Sequence, residues 1–172
     1  MALAKQQRLA FKKVETQEDI EFTAKTAKEI WQEYWPTRIG QAQTDYMIGL
    51  FLSDSAINRQ IKDDGYEFFT LWDKDKLVGF IAMHAEADAL FISKIYFYKS
   101  MRGAGYAAEV IDFFNKVCLE RKLPSMYLNV NKYNDLAIKA YLRYGFNNED
   151  SVVNDIGEGF VMDDYIMRRP AA

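Results

Sequence analysis

A strand, a glycine-bearing turn and an amphipathic helix follow one another directly between residues 89 and 114. Apolar and aromatic side chains crowd residues 90–98, as a buried strand requires. Glycines then interrupt the run, and from Ala107 onwards the apolar positions recur at helical spacing. A helix that begins after glycines presents unpaired backbone N–H groups and the positive end of its dipole. Because Arg102 adds a fixed positive charge, we expect this turn to bind a phosphate-bearing ligand.

The patterns on either side of this unit predict a fold of the α+β class. Alternating apolar residues indicate further strands at residues 7–14, 66–72, 76–85, 125–130, 146–153 and 160–168. Helical spacing indicates helices at residues 17–35, 45–51 (continued by 56–61) and 135–143. Three antiparallel strands before a strand–helix unit favour three layers, with helices flanking a mixed, mostly antiparallel central sheet of about seven strands.

Two polar residues are predicted to cap helices. Thr16 is followed by Asp19 three positions later, a weak version of the capping box. Asn134 precedes the helix at residues 135–143, and Gly145 fits the position just after its last turn.

Length and composition predict a single domain in the cytoplasm. The chain has 172 residues, three prolines and no linker-like cluster of glycine, serine and proline, so residues 1–172 are expected to form one domain. The apolar runs are too short to span a bilayer, and residues 1–13 lack the apolar centre of a signal peptide. We therefore expect a cytoplasmic protein without a membrane partner.

Net charge and rare residue types argue against two classes of partner. The net charge is −3, from 22 basic and 25 acidic residues, whereas nucleic-acid binders usually carry clustered basic charge. The single cysteine, Cys118, excludes an internal disulfide framework, and the single histidine, His84, argues against a zinc site. Neither nucleic acid nor metal is expected, and the aromatic surplus is compatible with a homodimer.

Three phosphate-binding designs compete for the central turn. A Walker loop requires G-x-x-x-x-G-K-[ST], which the chain lacks. The run Gly103-x-Gly105-x-x-Ala108 satisfies a dinucleotide fingerprint, but Leu-Pro-Ser stands where an acid is expected about 20 residues later. The antiparallel strands in front also do not fit that fold. The third design is R-x-x-G-x-A, present as Arg102-Gly103-Ala104-Gly105-Tyr106-Ala107.

This third design resembles the signature of the GNAT (GCN5-related N-acetyltransferase) superfamily, Q/R-x-x-G-x-G/A between a central strand and a long helix. Residues 134–146 resemble a second motif of that superfamily, the N-x-x-A-x-x-x-Y-x-x-x-G-F helix, with Asn134, Tyr141 and Gly145 at fixed positions. The two motifs stand in the right order, and the resemblance covers residues 76–168. It implies the superfamily fold, whose sheet splays at the central strand, in a layout similar to small bacterial polyamine-type acetyltransferases.

The resemblance implies acetyl-CoA as the donor and an amine as the acceptor, with direct attack in a ternary complex. Coenzyme A has a pyrophosphate that suits the central turn and a pantetheine arm whose amides would pair with the backbone of Ile95, Tyr96 and Phe97. By resemblance, Tyr141 protonates the leaving thiolate, although packing on its helix is the alternative role. Asn134 would contact the cofactor as well as cap its helix. A backbone N–H near Phe97 is expected to stabilise the developing charge on the thioester oxygen.

The resemblance does not identify the general base. Relatives often have a glutamate on the central strand, and the closest position here holds Ser93, which can hold a relaying water but cannot itself be the base. The remaining candidates are His84, Glu86, Asp88, Asp163 and Asp164. His84 shares a strand face with apolar residues, which favours simple packing. Ser93 also favours an alternative function, a CoA-binding sensor or interaction protein without catalysis.

The acceptor site is predicted from the aromatic helices and the acidic end of the chain. The aromatic residues of the helices between residues 30 and 51 are expected to wall the acceptor side: Trp31, Tyr34, Trp35, Tyr46 and Phe51. Asp163 is expected to attract a cationic amine. Strand alternation turns Asp163 and Asp164 to opposite faces, so at most one reaches a given cleft. The order of helices and the Met-Asp-Asp-Tyr ending resemble polyamine acetyltransferases. A polyamine-like cation is therefore the leading acceptor, before a protein N-terminus or lysine and an aminoglycoside.

Overall fold

Residues 6–172, which the computed structural model of the protein describes, form seven strands and six α-helices. In chain order these are β1 (Leu9–Lys13), α1 (Gln17–Tyr34), α2 (Pro36–Ile39), α3 (Gln41–Phe51), α4 (Asp54–Lys62), β2 (Glu67–Asp73), β3 (Lys76–Ala85), β4 (Ala89–Phe97), α5 (Tyr106–Arg121), β5 (Ser125–Asn131), α6 (Asp135–Arg143), β6 (Asn147–Gly157) and β7 (Phe160–Pro170). Part of the stretch considered for a signal peptide, residues 1–5, lies outside this range.

The strands form one mixed sheet in the order β1-β2-β3-β4-β5-β7-β6. Only β4 and β5 run parallel, and the other neighbouring pairs within the described part of the chain are antiparallel. The parallel pair is joined by the crossover helix α5, as parallel strands require. The predicted fold, a mostly antiparallel seven-stranded sheet with flanking helices, is confirmed.

Side-chain caps fix the starts of three of the six helices: α1, α4 and α6. The Thr16 hydroxyl accepts the Asp19 N–H at 3.1 Å and the Asp19 carboxylate accepts the Thr16 N–H, so the predicted capping box begins α1. The two middle helices differ from the prediction. α3 begins four residues earlier, directly after Gly40 (φ +88°), and α4 is a separate helix because Ser53 caps it through the Ala56 N–H.

Two apolar cores cover the two faces of the sheet. Beneath α5, fully buried side chains such as Phe114 pack against residues of β2 to β5. On the opposite face, α1, α3 and α4 cover Phe68 and Phe80. Within residues 6–172, no helix combines the length and the apolar character needed to cross a membrane.

Candidate functional site

The sheet opens into a wedge between its two parallel strands. β4 and β5 pair only where residues 89–92 lie opposite residues 125–128, after which β5 follows β7 while β4 continues along β3. The β5-facing edge of residues 93–97 therefore has no strand partner in the described part of the chain. Unpaired backbone N–H and C=O groups of this kind can pair with an extended ligand that carries amides. Three predicted cofactor contacts lie on this edge: Ile95, Tyr96 and Phe97.

A β-bulge at Ser93 changes which side chains of β4 share a face. Ile92 and Lys94 pair with adjacent residues of β3, so Ser93 is the extra residue between them. Because of this slip, Ile92 before the bulge and Ile95 after it both pack in the core beneath α5. Lys94 and Tyr96 are turned to the opposite face, where Ser93 also lies.

Two adjoining cavities occupy the open side of the wedge. The smaller one, here called the wedge cavity, has a volume of about 60 Å³ and is lined by β4, β5, Asn134 and Tyr141. The larger one, here called the large cleft, has a volume of about 390 Å³ and extends beneath the helices α1 to α4. The residues that line both are Trp35, Ser93, Lys94, Tyr96, Asn129 and Asn131. The fold thus brings the two predicted catalytic residues, Ser93 and Tyr141, to one cavity.

The central turn enters α5 through two glycines with positive φ. Gly103 has φ +78° and Gly105 has φ +85°, conformations that disfavour any side chain. Apart from Gly103 and its two chain neighbours, no atom of residues 6–172 lies within 4 Å of the place where a Cβ of Gly103 would stand, so a ligand can approach the backbone closely. Gly105 caps α5 without a side-chain hydrogen bond, so the first N–H groups of the helix, including that of Ala107, remain open to an anion.

One residue of the turn can offer only its backbone to a ligand. The Tyr106 side chain is buried, and its hydroxyl donates to the Asp73 carboxylate at 2.6 Å. The predicted contact through Tyr106 is therefore limited to its N–H group at the start of α5.

Arg8 and Glu109 tie the turn to the first strand. The Arg8 guanidinium donates to the Ala104 carbonyl at 2.6 Å and to the Glu109 carboxylate at 3.1 Å. Glu109 also accepts the N–H of Leu9 at 3.0 Å. These contacts fix the position of the turn through a residue from a distant part of the sequence.

Tyr34 links the turn to α6. Its hydroxyl donates to the Asn134 side-chain oxygen at 2.7 Å, and the same oxygen caps α6 by accepting the Ala137 N–H at 3.3 Å. The Arg102 guanidinium lies 4.8 Å from the centre of the Tyr34 ring and donates to the Phe97 carbonyl at 3.2 Å. Tyr34 is predicted to wall the acceptor side, but it does not line the large cleft. Its hydroxyl contacts α6 and its ring contacts Arg102 of the central turn.

Tyr141 extends from α6 into the wedge cavity. Its ring meets Phe146 edge to face at 5.6 Å, which fixes the ring position. Burial raises the pKa of the Tyr141 hydroxyl above its ordinary value, and Tyr144 adds to this effect. Burial likewise raises the pKa of Tyr96, to which nearby Tyr141 and Asp164 contribute. A neutral, partly enclosed phenol in this position can donate a proton to a group in the cavity.

Of the two adjacent acids on β7, Asp164 and not Asp163 lines the large cleft. Asp163 instead forms an ion pair with Lys132 at 2.7 Å. Asp164 is only 3% exposed; burial, assisted by the charge of Asp163, raises its pKa to about 6. The predicted alternation holds, but the assignment to Asp163 does not fit: Asp164 is the residue opposite Asn131, which also lines the cleft.

Lys94 is a cleft residue that the sequence analysis missed. Its ammonium nitrogen donates to the Gln60 side-chain oxygen at 2.8 Å and to the Ser93 hydroxyl at 3.0 Å. The nitrogen also lies 5.0 Å from the centre of the Phe68 ring and 5.7 Å from that of Tyr66. Burial lowers the pKa of Lys94 to about 7. The only signal in the sequence is a lysine within an otherwise apolar strand.

The other candidate bases have different contacts. His84 packs its ring against Tyr66 at 4.9 Å, and Glu86 accepts the Tyr127 hydroxyl at 2.9 Å. Asp88 is exposed in the turn between β3 and β4. None of these three lines the large cleft, which leaves Asp164 as the buried carboxyl group within it.

The aromatic residues predicted to wall the acceptor side divide into two groups. Trp31, Trp35 and Phe51 line the large cleft. Tyr46 instead donates to the Ile156 carbonyl at 2.6 Å, which supports the β6–β7 hairpin. The site as a whole can hold a long ligand, with its anionic end at the central turn, amides along β4 and its reactive end between Tyr141 and Asp164.

A family model described as Acetyltransferase (GNAT) family matches residues 24–146 of the chain. No curated protein shows a significant match to the sequence. Several hundred solved chains resemble the fold, and three are representative. PaiA N-acetyltransferase from Thermoplasma acidophilum, solved with coenzyme A, has a TM-score of 0.77 at 17% identity, covering 95% of this chain and 99% of that chain.

The other two are enzymes with different acceptors. The ribosomal-protein-S18-alanine N-acetyltransferase from Escherichia coli has a TM-score of 0.68 at 18% identity, covering 95% of this chain and 94% of that chain. The spermidine/spermine N-acetyltransferase SpeG from Vibrio cholerae, in mutant forms, has a TM-score of 0.67 at 20% identity over the same shares of both chains. At these identities the likeness shows a shared fold.

Proposed function

The chain belongs to the acetyltransferase (GNAT) family of acetyl-CoA-dependent N-acetyltransferases, and on that premise we propose that residues 1–172 act as one domain that acetylates a primary amine. The observation that carries this proposal is the unpaired edge of β4, which connects the glycine-bearing turn to a cavity lined by Tyr141. Acetyl-CoA supplies the acetyl group as a thioester. The remaining steps are assigned to residues of this chain.

The cofactor fits the groups that the wedge and the turn leave open. The amides of Gly103, Ala104, Gly105 and Ala107, with the exposed guanidinium of Arg102, form the proposed pyrophosphate site. The backbone of residues 95–97 offers hydrogen bonds to the amides of the pantetheine arm. Without the ligand, water solvates the backbone groups of this strand edge. Binding therefore replaces hydrogen bonds to water with hydrogen bonds to the amides of the pantetheine arm.

We assign the two proton transfers to one group in the large cleft, Asp164, and one group in the adjoining wedge cavity, Tyr141. Asp164 accepts a proton from the ammonium form of the acceptor, since its raised pKa of about 6 makes it a stronger base than an ordinary aspartate. Tyr141 donates the proton that the departing sulfur requires. Burial keeps its hydroxyl protonated and also disfavours a free thiolate beside it, so the proton moves between two desolvated groups. Ser93 is placed to orient the attacking group, directly or through a water, while its hydroxyl accepts from Lys94.

The proposal is confined to the class of primary amines. A polyamine would find one buried acid in the large cleft, Asp164, and one exposed acid, Asp64. The same cleft is lined by two basic residues, Arg59 and Lys94, which repel a second ammonium group. SpeG shares the fold at 20% identity, so polyamines remain one arm of the test.

The test combines cofactor binding with turnover by the whole purified chain. Calorimetry should detect binding of CoA and acetyl-CoA, and release of free thiol should follow when a suitable primary amine is added. Mass spectrometry should find one added acetyl group on that amine. Binding without thiol release across a broad amine panel would instead support a CoA sensor, and no CoA binding at millimolar levels would overturn the proposal.

A further inference from the structure

We propose that the acceptor is a small amine that also carries a carboxylate, and that Lys94 binds this carboxylate in the large cleft. The inference rests on the proposed acetyl transfer and deepens it by naming the substrate class. It concerns a residue that neither of the two family-like motifs contains.

One N–H of the Lys94 ammonium group has no hydrogen-bond acceptor among residues 6–172. An ammonium group carries three N–H donors, and two of them are accounted for by Gln60 and Ser93. Gln60 is itself fixed, because its amide nitrogen donates to the Phe51 carbonyl at 2.8 Å and its oxygen is thereby directed at Lys94. The third donor of Lys94 is available to a ligand in the cleft that the side chain lines.

Lys94 also lacks a counter-charge. None of the ion pairs found among residues 6–172 involves it. Its two hydrogen-bond partners are neutral, and burial lowers its pKa to about 7. A bound carboxylate would supply the missing charge and accept the third N–H. By contrast, protonated Lys94 would repel an ammonium group of a polyamine in the same cleft.

The distance between the two ends of the site suits a short molecule. Lys94 and Tyr96 are two residues apart on one face of β4, about 7 Å along the strand. Lys94, Tyr96 and Asp164 line the same cleft of about 390 Å³, and Tyr96 also lines the wedge cavity that contains Tyr141. A molecule of a few carbon atoms fits a cleft of this size, with its amine at Asp164 and its carboxylate at Lys94. Arg59, on the exposed rim, adds a second positive charge to the carboxylate end.

Matched acceptors test this assignment on the whole chain. Glycine, β-alanine and γ-aminobutyrate would be compared with their primary amides, which lack the carboxylate, and with spermidine. Thiol release would give kcat/KM for each acceptor, and calorimetry on the CoA-saturated protein would give each Kd. We expect at least one aminocarboxylate to exceed its amide by about 10- to 100-fold, the range for a hydrogen bond between charged groups.

Three variants separate a charge contact from a structural role. Lys94→Met should lower kcat/KM for the aminocarboxylate about 10- to 100-fold more than for its amide, and Lys94→Arg should restore part of the preference. Lys116→Met, a matched change on the exposed face of α5, should alter neither. Equal rates with both acceptor types, or equal losses on both in Lys94→Met, would overturn the inference while acetyl transfer stands. Lys94-dependent binding of an aminocarboxylate without thiol release would support the site and overturn the transfer.

Discussion

Replacing Asp164 with Asn should stabilise the protein in a way that depends on pH. The carboxyl group has a pKa of about 6 in the folded chain against an ordinary value of 3.8. The folded state therefore binds this proton more tightly, and the associated stability is lost as the pH rises through 6. Compared with a side chain that cannot ionise, the wild-type carboxyl group lowers the free energy of unfolding by about 1 kcal/mol at pH 4.5 and by about 3 kcal/mol at pH 7.5.

Urea unfolding of both proteins at several pH values measures this effect. The free energy of unfolding of Asp164→Asn should exceed that of the wild type by a margin that grows by about 2 kcal/mol between pH 4.5 and 7.5. Asp88→Asn, an exposed change in the β3–β4 turn, is the matched control and should give a smaller difference. A constant difference for Asp164→Asn would refute the reasoning that burial raises the pKa of this group. The variant should also lose about 10²- to 10⁴-fold in kcat/KM if Asp164 is the base.

Two further substitutions test the sulfur end and the turn. Tyr141→Phe should lower kcat by about 10²-fold or more. The affinity for CoA and the free energy of unfolding should stay nearly unchanged, because the ring keeps its contact with Phe146. Full turnover by this variant would remove the proton-donor role. Gly103→Ala forces a side chain into a positive-φ conformation, so it should cost about 1 kcal/mol of stability and weaken CoA binding measured by calorimetry. The matched change Gly49→Ala, within α3 and with open space around it, should instead stabilise by about 0.5–1 kcal/mol, and an equal effect of both changes would contradict this account.

Local signals were sufficient to predict the parts of the fold that local chemistry determines. The capping box of Thr16 and Asp19 and the cap at Asn134 fixed two helix starts, and the α6 boundaries match those predicted. The glycines of the central turn adopt the positive φ values that only such residues allow easily. These features depend on neighbours within a few positions, so the sequence alone encodes them.

Long-range register was not predictable in the same way. A bulge in β4 depends on how two strands pair across the sheet, and nothing in the run around Ser93 marks it. Without the bulge, strict alternation would turn Ser93 and Lys94 to opposite faces, and Lys94 was therefore overlooked. Whether Asp163 or Asp164 faces the cleft likewise depends on the register of β7 between β5 and β6. In this register Asp164 lies opposite Asn131 of β5, and both line the cleft.

The extra residue in β4 matters through its presence more than through its chemical type. If Ser93 were an ordinary paired residue of the ladder, strict alternation would turn Lys94 and Tyr96 beneath α5 and Ile95 into the cleft. A change of residue type at this position leaves the present geometry intact. The bulge therefore sets the direction of the β4 side chains in the cleft, and the proton acceptor that we propose, Asp164, comes from another strand.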